Sequence, residues 1–537
     1  MRNLIGSAAV CFMLLSSAGC ADREYKDVSV IPYPHTVKVT GESVALPEKV
    51  EISVKDSILL PEAEFLAAGL AQSGYETSVS ASARAAGIHL AIDRRISDEE
   101  GYRLETGKKR TVIYGGTPAG VFYGIQTFLQ EVAGGTLYKG TIEDAPRYPW
   151  RGFMLDEARH FSGAERVKQL LDIMAYYKMN RFHWHLTDAQ GWRIEIKSYP
   201  DLALVGGRGS HSDPDAPVSY YTQDQIRDIV EYAAARHIEI IPEIDMPGHA
   251  TAANRAYPEF NGGGTEQFPD FTFNVGKEGT YAYLTSVLRE IASLFPSPYI
   301  HIGGDEVYYG IEAWKTDPYV QSLMKRENMT DVREAERYFM HRMIDSVSVL
   351  GKTVVGWDEL IDLNADKDRS VVMWWRHDKP EYLDRSLSSG YTTVMCPRRP
   401  LYFDFIQYGE HRWGRIWDGF CPIEDVYSFP DPWIEDLTDD QKSHIAGIQA
   451  NLWCELNHTP ERVDFMIFPR LCALAESAWS MPEVKDFSSF EDRLEDAYEL
   501  FDSLGIYYFD TRNPEHHPEP AGPEIRKAGK QKMDYRD

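Results

Sequence analysis

The sequence predicts an α/β protein, a (β/α)8 barrel preceded by a smaller α/β domain. From residue 150 onward, apolar strand-like runs recur, eight in all, and amphipathic stretches fall between many of them. Strands alternating with helices pair in parallel, and eight of them fit a closed barrel better than an open doubly wound sheet. Residues 25 to 145 have a different texture, with shorter strand-like runs and two helical segments.

The first twenty residues, "MRNLIGSAAVCFMLLSSAGC", are read as a signal rather than as fold: Arg2, an apolar run, then small residues ending at Cys20. "SAGC" resembles the bacterial lipoprotein signal, in which that Cys is lipidated, although Ser17 stands where the pattern usually has Leu. The alternative is a cleaved soluble export signal. No later apolar run reaches the roughly 20 residues of a membrane span, so a lipid on Cys20 is the expected membrane contact. The expectation is an exported protein, periplasmic or attached to the outer membrane of a Gram-negative bacterium.

The next segment, 21–147, is expected to form the small α/β domain. "VEISV", "GIHLAI" and "TVIYGG" read as strands, and "EAEFLAAGLAQSG" and "AGVFYGIQTFLQEVAGG" as helices that end in Gly. "EDAPRYPW" supplies Pro and charge at a boundary near residue 147. The barrel is expected over 148–511. Its strand runs begin near residues 152, 180, 237, 299, 352, 370, 391 and 445. Between them, "AERVKQLLDIMAYYKMN" carries Val167, Leu170, Leu171, Met174 and Tyr177 at helical spacing. "TQDQIRDIVEYAAARH" opens with Thr222 and Gln225 in capping-box positions and turns Ile226, Ile229, Val230 and Ala233 inward. "DVREAERYFMHRMIDSVSVLG" stops on Gly351, and "FEDRLEDAYELFDSLG" closes the barrel. Residues 512–537 have little apolar content and read as a tail.

A formal net charge of -27 argues against nucleic acid, whose phosphates need an excess of Lys and Arg. Beyond the leader, Cys396, Cys421, Cys454 and Cys472 show no CxxC spacing and read as buried thiols. His183 and His185 share a strand face, which is too little to predict a metal site.

Function is read from the strand ends, because a barrel's site forms at its C-terminal mouth. Those ends give Asp156 with Arg159, Asp188, Asp245 with His249, Asp305 with Glu306, Trp357 with Asp358 and Glu359, Trp374 and Trp375, and Trp453 with Glu455; Tyr402 and Asp404 follow the seventh strand. Aromatic rings accept the C–H faces of pyranoses, and carboxylates and Arg bind their hydroxyls. The pattern points to a carbohydrate site. Adjacent acids are poorly placed to flank a sugar as acid and nucleophile. After Gly303 and Gly304, both can curve into one pocket, where the second anion and burial raise the pKa of the acid.

"HIGGDEV", together with "RGFMLDEARHF", "NRFHWHLTDAQGWRIEI", "IPEIDMPGHA", "GWDEL" and "GIQANLWCE", resembles in order the family 20 glycoside hydrolases, the β-N-acetylhexosaminidases. The resemblance implies substrate-assisted retaining hydrolysis of terminal β-linked GlcNAc or GalNAc through an oxazolinium intermediate, with no cofactor. In that scheme Glu306 is the general acid and then base, and Asp305 orients the acetamide. Arg159 binds the 3- and 4-hydroxyls and Glu455 the 4- and 6-hydroxyl region. Trp357, Trp453 and either Trp374 or Trp375 wall the pocket, and Tyr402 donates to the acetamide oxygen. Asp188 and His249 support the acids, His249 through a relay with Asp245. Asp404 followed by Phe405 implies a neutral terminal sugar. The loop holding Arg412 and Arg415 departs from the family's usual Glu-Pro step; its two arginines read as solvated loop charges, the alternative being contact with an acidic or sulfated group. A disaccharide-releasing relative, a glycan-binding protein without turnover and a two-carboxylate glycosidase are the competing readings. Oligomeric state is not legible.

Overall fold

The computed structural model describes residues 26–81, 87–135, 137–416 and 419–524, so the leader and Cys20 lie outside the described residues. The N-terminal unit is a seven-stranded sheet of β1 (Thr36–Ser43), β2 (Lys49–Val54), β3 (Glu76–Ser80), β4 (Gly87–Ile92), β5 (Tyr102–Thr106), β6 (Arg110–Gly115) and β7 (Tyr138–Asp144), in the order β1-β7-β5-β6-β4-β2-β3. Helices Leu60–Gln72 and Pro118–Ala133 pack on it; each carries a Pro in its first turn, where the missing N–H costs nothing.

The second unit is a closed parallel barrel. Its strands are β8 (Trp150–Asp156), β9 (Arg181–His185), β10 (Glu239–Glu243), β13 (Tyr299–His301), β14 (Thr353–Trp357), β15 (Ser370–Trp374), β16 (Thr392–Met395) and β17 (Ile445–Leu452). β11 (Asn261–Gly263) and β12 (Thr272–Phe273) form a separate antiparallel ribbon. All eight apolar runs are barrel strands, and β17 closes on β8 from Gly447↔Trp150 to Leu452↔Leu155.

Strand alternation sorts the side chains. Met154, Ile241, Val355, Met373 and Val394 pack together inside the barrel, while Phe153, Phe182, Ile240, Val354, Val372 and Trp374 pack with the surrounding helices. The helices are amphipathic as the spacing requires. In Ala164–Tyr176, Val167, Leu170, Leu171 and Met174 are buried; Gln223–Ala234 begins with the Thr222/Gln225 capping box. Gly351, at φ +74°, follows the end of helix Val332–Val349.

The two units share a buried polar seam. Asp144 Oδ2 accepts from Tyr102 Oη at 2.8 Å and from Trp479 Nε1 at 2.8 Å, and lies 3.3 Å from the Lys178 ammonium. Arg151 holds Glu100 with two nitrogens, at 2.7 and 3.0 Å. Residues 513–520 differ from a free tail. The Glu519 carboxylate accepts from Arg412 N and Trp413 N at 2.8 Å each, and Arg462 donates to Pro520 O at 2.8 Å. Polar composition concealed this docking, because carboxylate and carbonyl contacts and the packing of His516 and His517 on Tyr508 and Tyr507, rather than an aliphatic face, hold the segment. Cys396, Cys421, Cys454 and Cys472 are free, buried thiols. Among the described residues, no helix is long and apolar enough to cross a membrane.

Candidate active site

A cavity of about 300 Å3 opens at the C-terminal mouth of the barrel. The chain builds its reactive wall with a sharp loop. β13 stops at His301, and Gly303 and Gly304 follow at φ +64° and +98°. A Cβ on Gly303 would sit 1.7 Å from Asp245 Oδ1, so only glycine fits. Glu306 itself is left-handed at φ +50°, as is His249 at φ +53°. Left-handed non-glycine residues are strained and persist where the surroundings over-determine them. The result turns both Asp305 and Glu306 into the cavity.

Behind these acids stands His249. Its Nε2 lies 3.5 Å from Asp305 Oδ2 and 3.6 Å from Glu306 Oε2, and its Nδ1 meets Asp188 Oδ1 at 3.1 Å. The partner in the relay is therefore Asp188, 61 residues away, and not the nearby Asp245 expected from sequence. Asp245 instead lies against Gly303, with its backbone N–H donating to Thr187 Oγ1 at 3.1 Å. Burial, with Glu243 and Asp188 adding to it and His249 opposing, pushes the Asp245 carboxyl up to about 7. Burial likewise raises Asp305 well above the usual carboxylate range; Asp245 and Glu306 add to it, and His249 works against it. Asp305 Oδ1 is buried and has no hydrogen-bond partner among the described residues, leaving an acceptor for a bound group.

The recognition wall lies opposite. Arg159 Nη2 is 3.0 Å from Asp188 Oδ2 and 4.0 Å from Glu455 Oε1. Arg415 bridges Asp404 Oδ2 at 2.6 Å and Glu455 Oε1 at 2.9 Å. Burial would raise Glu455, but Arg159 and Arg415 hold it down at about 2, ionised and ready to accept from hydroxyls. Trp357, Trp375, Tyr402 and Trp453 line the cavity. The Trp453 ring lies 5.9 Å from Trp357 and 6.0 Å from Tyr402, and the Arg159 guanidinium sits over it at 5.0 Å. Burial keeps the Tyr402 phenol far above its ordinary pKa, so it stays protonated.

Of the residues expected at the site, Arg159, Asp188, His249, Asp305, Glu306, Trp357, Trp375, Tyr402, Trp453 and Glu455 border the cavity. Trp374 does not: it is fully buried on the outer face of β15 against Trp433, at 5.3 Å. Asp404 does not border it either; it is buried and acts by fixing Arg415. Arg415, expected as a solvated loop charge, is a cavity residue. Glu359, which accepts from Trp375 Nε1 at 3.1 Å, also lines the cavity, and its place at the end of β14 was the signal that marked it. Among the described residues, His183, Glu243 and His301 come close enough to share a cation. His183 Nε2 lies 3.0 Å and His301 Nδ1 2.9 Å from the Glu243 carboxylate.

A parallel barrel with two acids beside an indole-walled hole and an Arg–carboxylate rim defines a glycoside hydrolase. Residues 148–482 match the model of the glycosyl hydrolase family 20 catalytic domain and residues 27–145 that of domain 2 of the same family, and the chain belongs to family 20. It is 35% identical to a β-hexosaminidase of Porphyromonas gingivalis, over 95% of this chain and 68% of that protein. It is 38% identical to one of Vibrio furnissii, over 71% of this chain and 65% of that protein. A solved Vibrio harveyi exo-β-N-acetylglucosaminidase in complex with N-acetylglucosamine superposes with a TM-score of 0.81 at 32% identity, covering 91% of this chain and 80% of that one. The β-N-acetylhexosaminidase of Bacteroides fragilis gives 0.77 at 28% identity, covering 89% and 96%.

Proposed function

We propose that the protein removes terminal, non-reducing β-linked GlcNAc or GalNAc from glycans by substrate-assisted, retaining hydrolysis. The observation that carries this reading is the shared cavity of the adjacent Asp305 and Glu306, with Tyr402 and three tryptophans around it. Glu306 donates its proton to the glycosidic oxygen. The 2-acetamido oxygen attacks the anomeric carbon as that bond breaks, giving an oxazolinium ion. Asp305 accepts from the acetamide N–H and offsets the positive charge that develops on the closing ring; Tyr402 orients the acetamide oxygen. Glu306, now a carboxylate, takes a proton from water, which opens the ring with overall retention. An internal nucleophile held in attack geometry contributes roughly 7–11 kcal/mol. Arg159, Arg415 and Glu455 bind the hydroxyls at the non-reducing end, so the natural partners are glycans ending in a neutral β-HexNAc. Export with a lipid on Cys20 completes the reading and is tested by incorporation of labelled palmitate, which a Cys20→Ala chain should lose.

The deciding experiment is product analysis on chitobiose, N-glycan and mucin-type oligosaccharides, together with inhibition by a thiazoline mimic of the cyclised sugar. Release of a single HexNAc and inhibition by the mimic are expected. Cleavage of substrates lacking the 2-acetamido group, or release of disaccharides, overturns the reading.

A further inference from the structure

Below the acids, the barrel interior is unusually polar. Glu243, at the end of β10, is fully buried and faces three histidines. His185 Nδ1 makes a short hydrogen bond to Glu243 Oε2, His183 Nε2 lies 3.0 Å from the same oxygen, and His301 Nδ1 lies 2.9 Å from Oε1. The His185 contact leads to the reactive wall. His185 turns its other nitrogen to Asp188 Oδ2 at 3.0 Å, and Asp188 holds His249 behind both acids. His301 Nδ1 accepts from Gly303 N at 3.0 Å, at the start of the turn that delivers Asp305 and Glu306.

We propose that Glu243 is a positioning residue for hydrolysis: a buried anion that keeps His185 doubly protonated and thereby fixes Asp188 and, through it, His249 behind the two acids. The proposal rests on the assignment of Asp305 and Glu306 as the reacting acids. Charge alternates along the row, with Glu243 negative, His185 positive, Asp188 negative and His249 positive. Burial works against every one of these charges, and each partner restores it. An imidazole with a carboxylate at each nitrogen satisfies both only as imidazolium. The other titratable or charged groups facing this pair are His183 from β9, His301 from β13, Asp156 and Arg159 at the end of β8, Asp245 beyond β10 and the Cys396 thiol after β16. Gln449 on β17 adds a neutral hydrogen bond to His183 Nδ1 at 3.0 Å.

The test is Glu243→Gln in the full chain, assayed on an aryl β-N-acetylglucosaminide. We expect kcat to fall on the order of 30-fold or more with KM within about threefold, the pattern of an interaction used in the transition state. We expect the alkaline limb of the pH profile to move at least about one unit lower, since His185 then loses its proton within the working range. A profile that superimposes on the parent's overturns the proposal while leaving the functional reading intact; a parent enzyme without turnover overturns that reading instead. Should the variant fail to fold, 15N-histidine spectra of the parent decide, with His185→Gln used for assignment. A His185 ring carrying protons on both nitrogens at pH 8 supports the proposal, and a neutral ring overturns it.

Discussion

The two walls of the cavity are built differently. The reactive wall, Asp305, Glu306, His249 and Asp188, stands on strand ends and is tied to the barrel interior through His185 and Glu243. The recognition wall depends on a long loop: Arg415 is held by Asp404 and Glu455, and the loop's backbone is capped from outside by Glu519. The first wall has few degrees of freedom and no room to adjust, as Gly303 against Asp245 shows. The second is a set of largely buried ion pairs, held by side chains from a loop and from strand ends rather than by backbone fit. In the proposed mechanism, chemistry falls to the wall fixed by the backbone and sugar selection to the wall that depends on a loop.

The contrast breaks first at the acids. Glu306→Ala should lower kcat by about 10²–10⁴, the range of general acid catalysis, and Asp305→Ala by a comparable factor. Azide should restore turnover of the Glu306 variant alone, on aryl substrates with good leaving groups. An Asp305→Ala enzyme as fast as the parent would remove the amide clamp from the mechanism.

A pair of neighbours sharpens it next. Trp374→Ala should cost about 3–5 kcal/mol of stability through the core cavity it leaves. Trp375→Ala should instead raise KM with little change in thermal midpoint, because its ring lines the sugar cavity. Denaturant melts and steady-state kinetics on both variants read the difference directly.

Arg415→Met should be milder, raising KM about tenfold through loss of a charged hydrogen bond worth about 1.5 kcal/mol, with kcat nearly kept. A large fall in kcat would mean that the loop belongs to the reactive wall after all.

The effect expected to be smallest on turnover is a pH dependence of stability. Asp245 is pushed up to about 7 from an ordinary 3.8. The folded state therefore binds more protons than the unfolded chain between those values, and stability falls as pH rises through that window. Asp245→Asn should flatten this part of the melting-temperature profile between about pH 4 and 7. An unchanged slope would show that the carboxyl titrates normally.

Much of this was legible beforehand, for identifiable reasons. The barrel strands were visible because parallel strands buried on both faces read as continuous apolar runs. The acids were visible because a site at a barrel mouth must use strand ends. Three features were not. Trp374 and Trp375 differ only in the face they present, and alternation decides that once the strand's register is known. The partner of His249 was misread because Asp245 is close in sequence, whereas Asp188 is close only in space. Arg415 looked like a solvated charge because Asp404 and Glu455, which bury it, lie 11 and 40 residues away. Contacts between distant loops leave no local periodicity to read.

The Asp144 seam bears on how the chain can be cut. Severing it at the proline-rich junction near residue 147 would leave Lys178 and Trp479 on one fragment without the carboxylate they share, and Tyr102 on the other without its ammonium neighbour and Tyr123 without its indole. The catalytic unit is accordingly no free-standing cassette. A swap between relatives should carry the small domain along, and a fragment starting at Trp150 should go to inclusion bodies rather than to a soluble, active barrel.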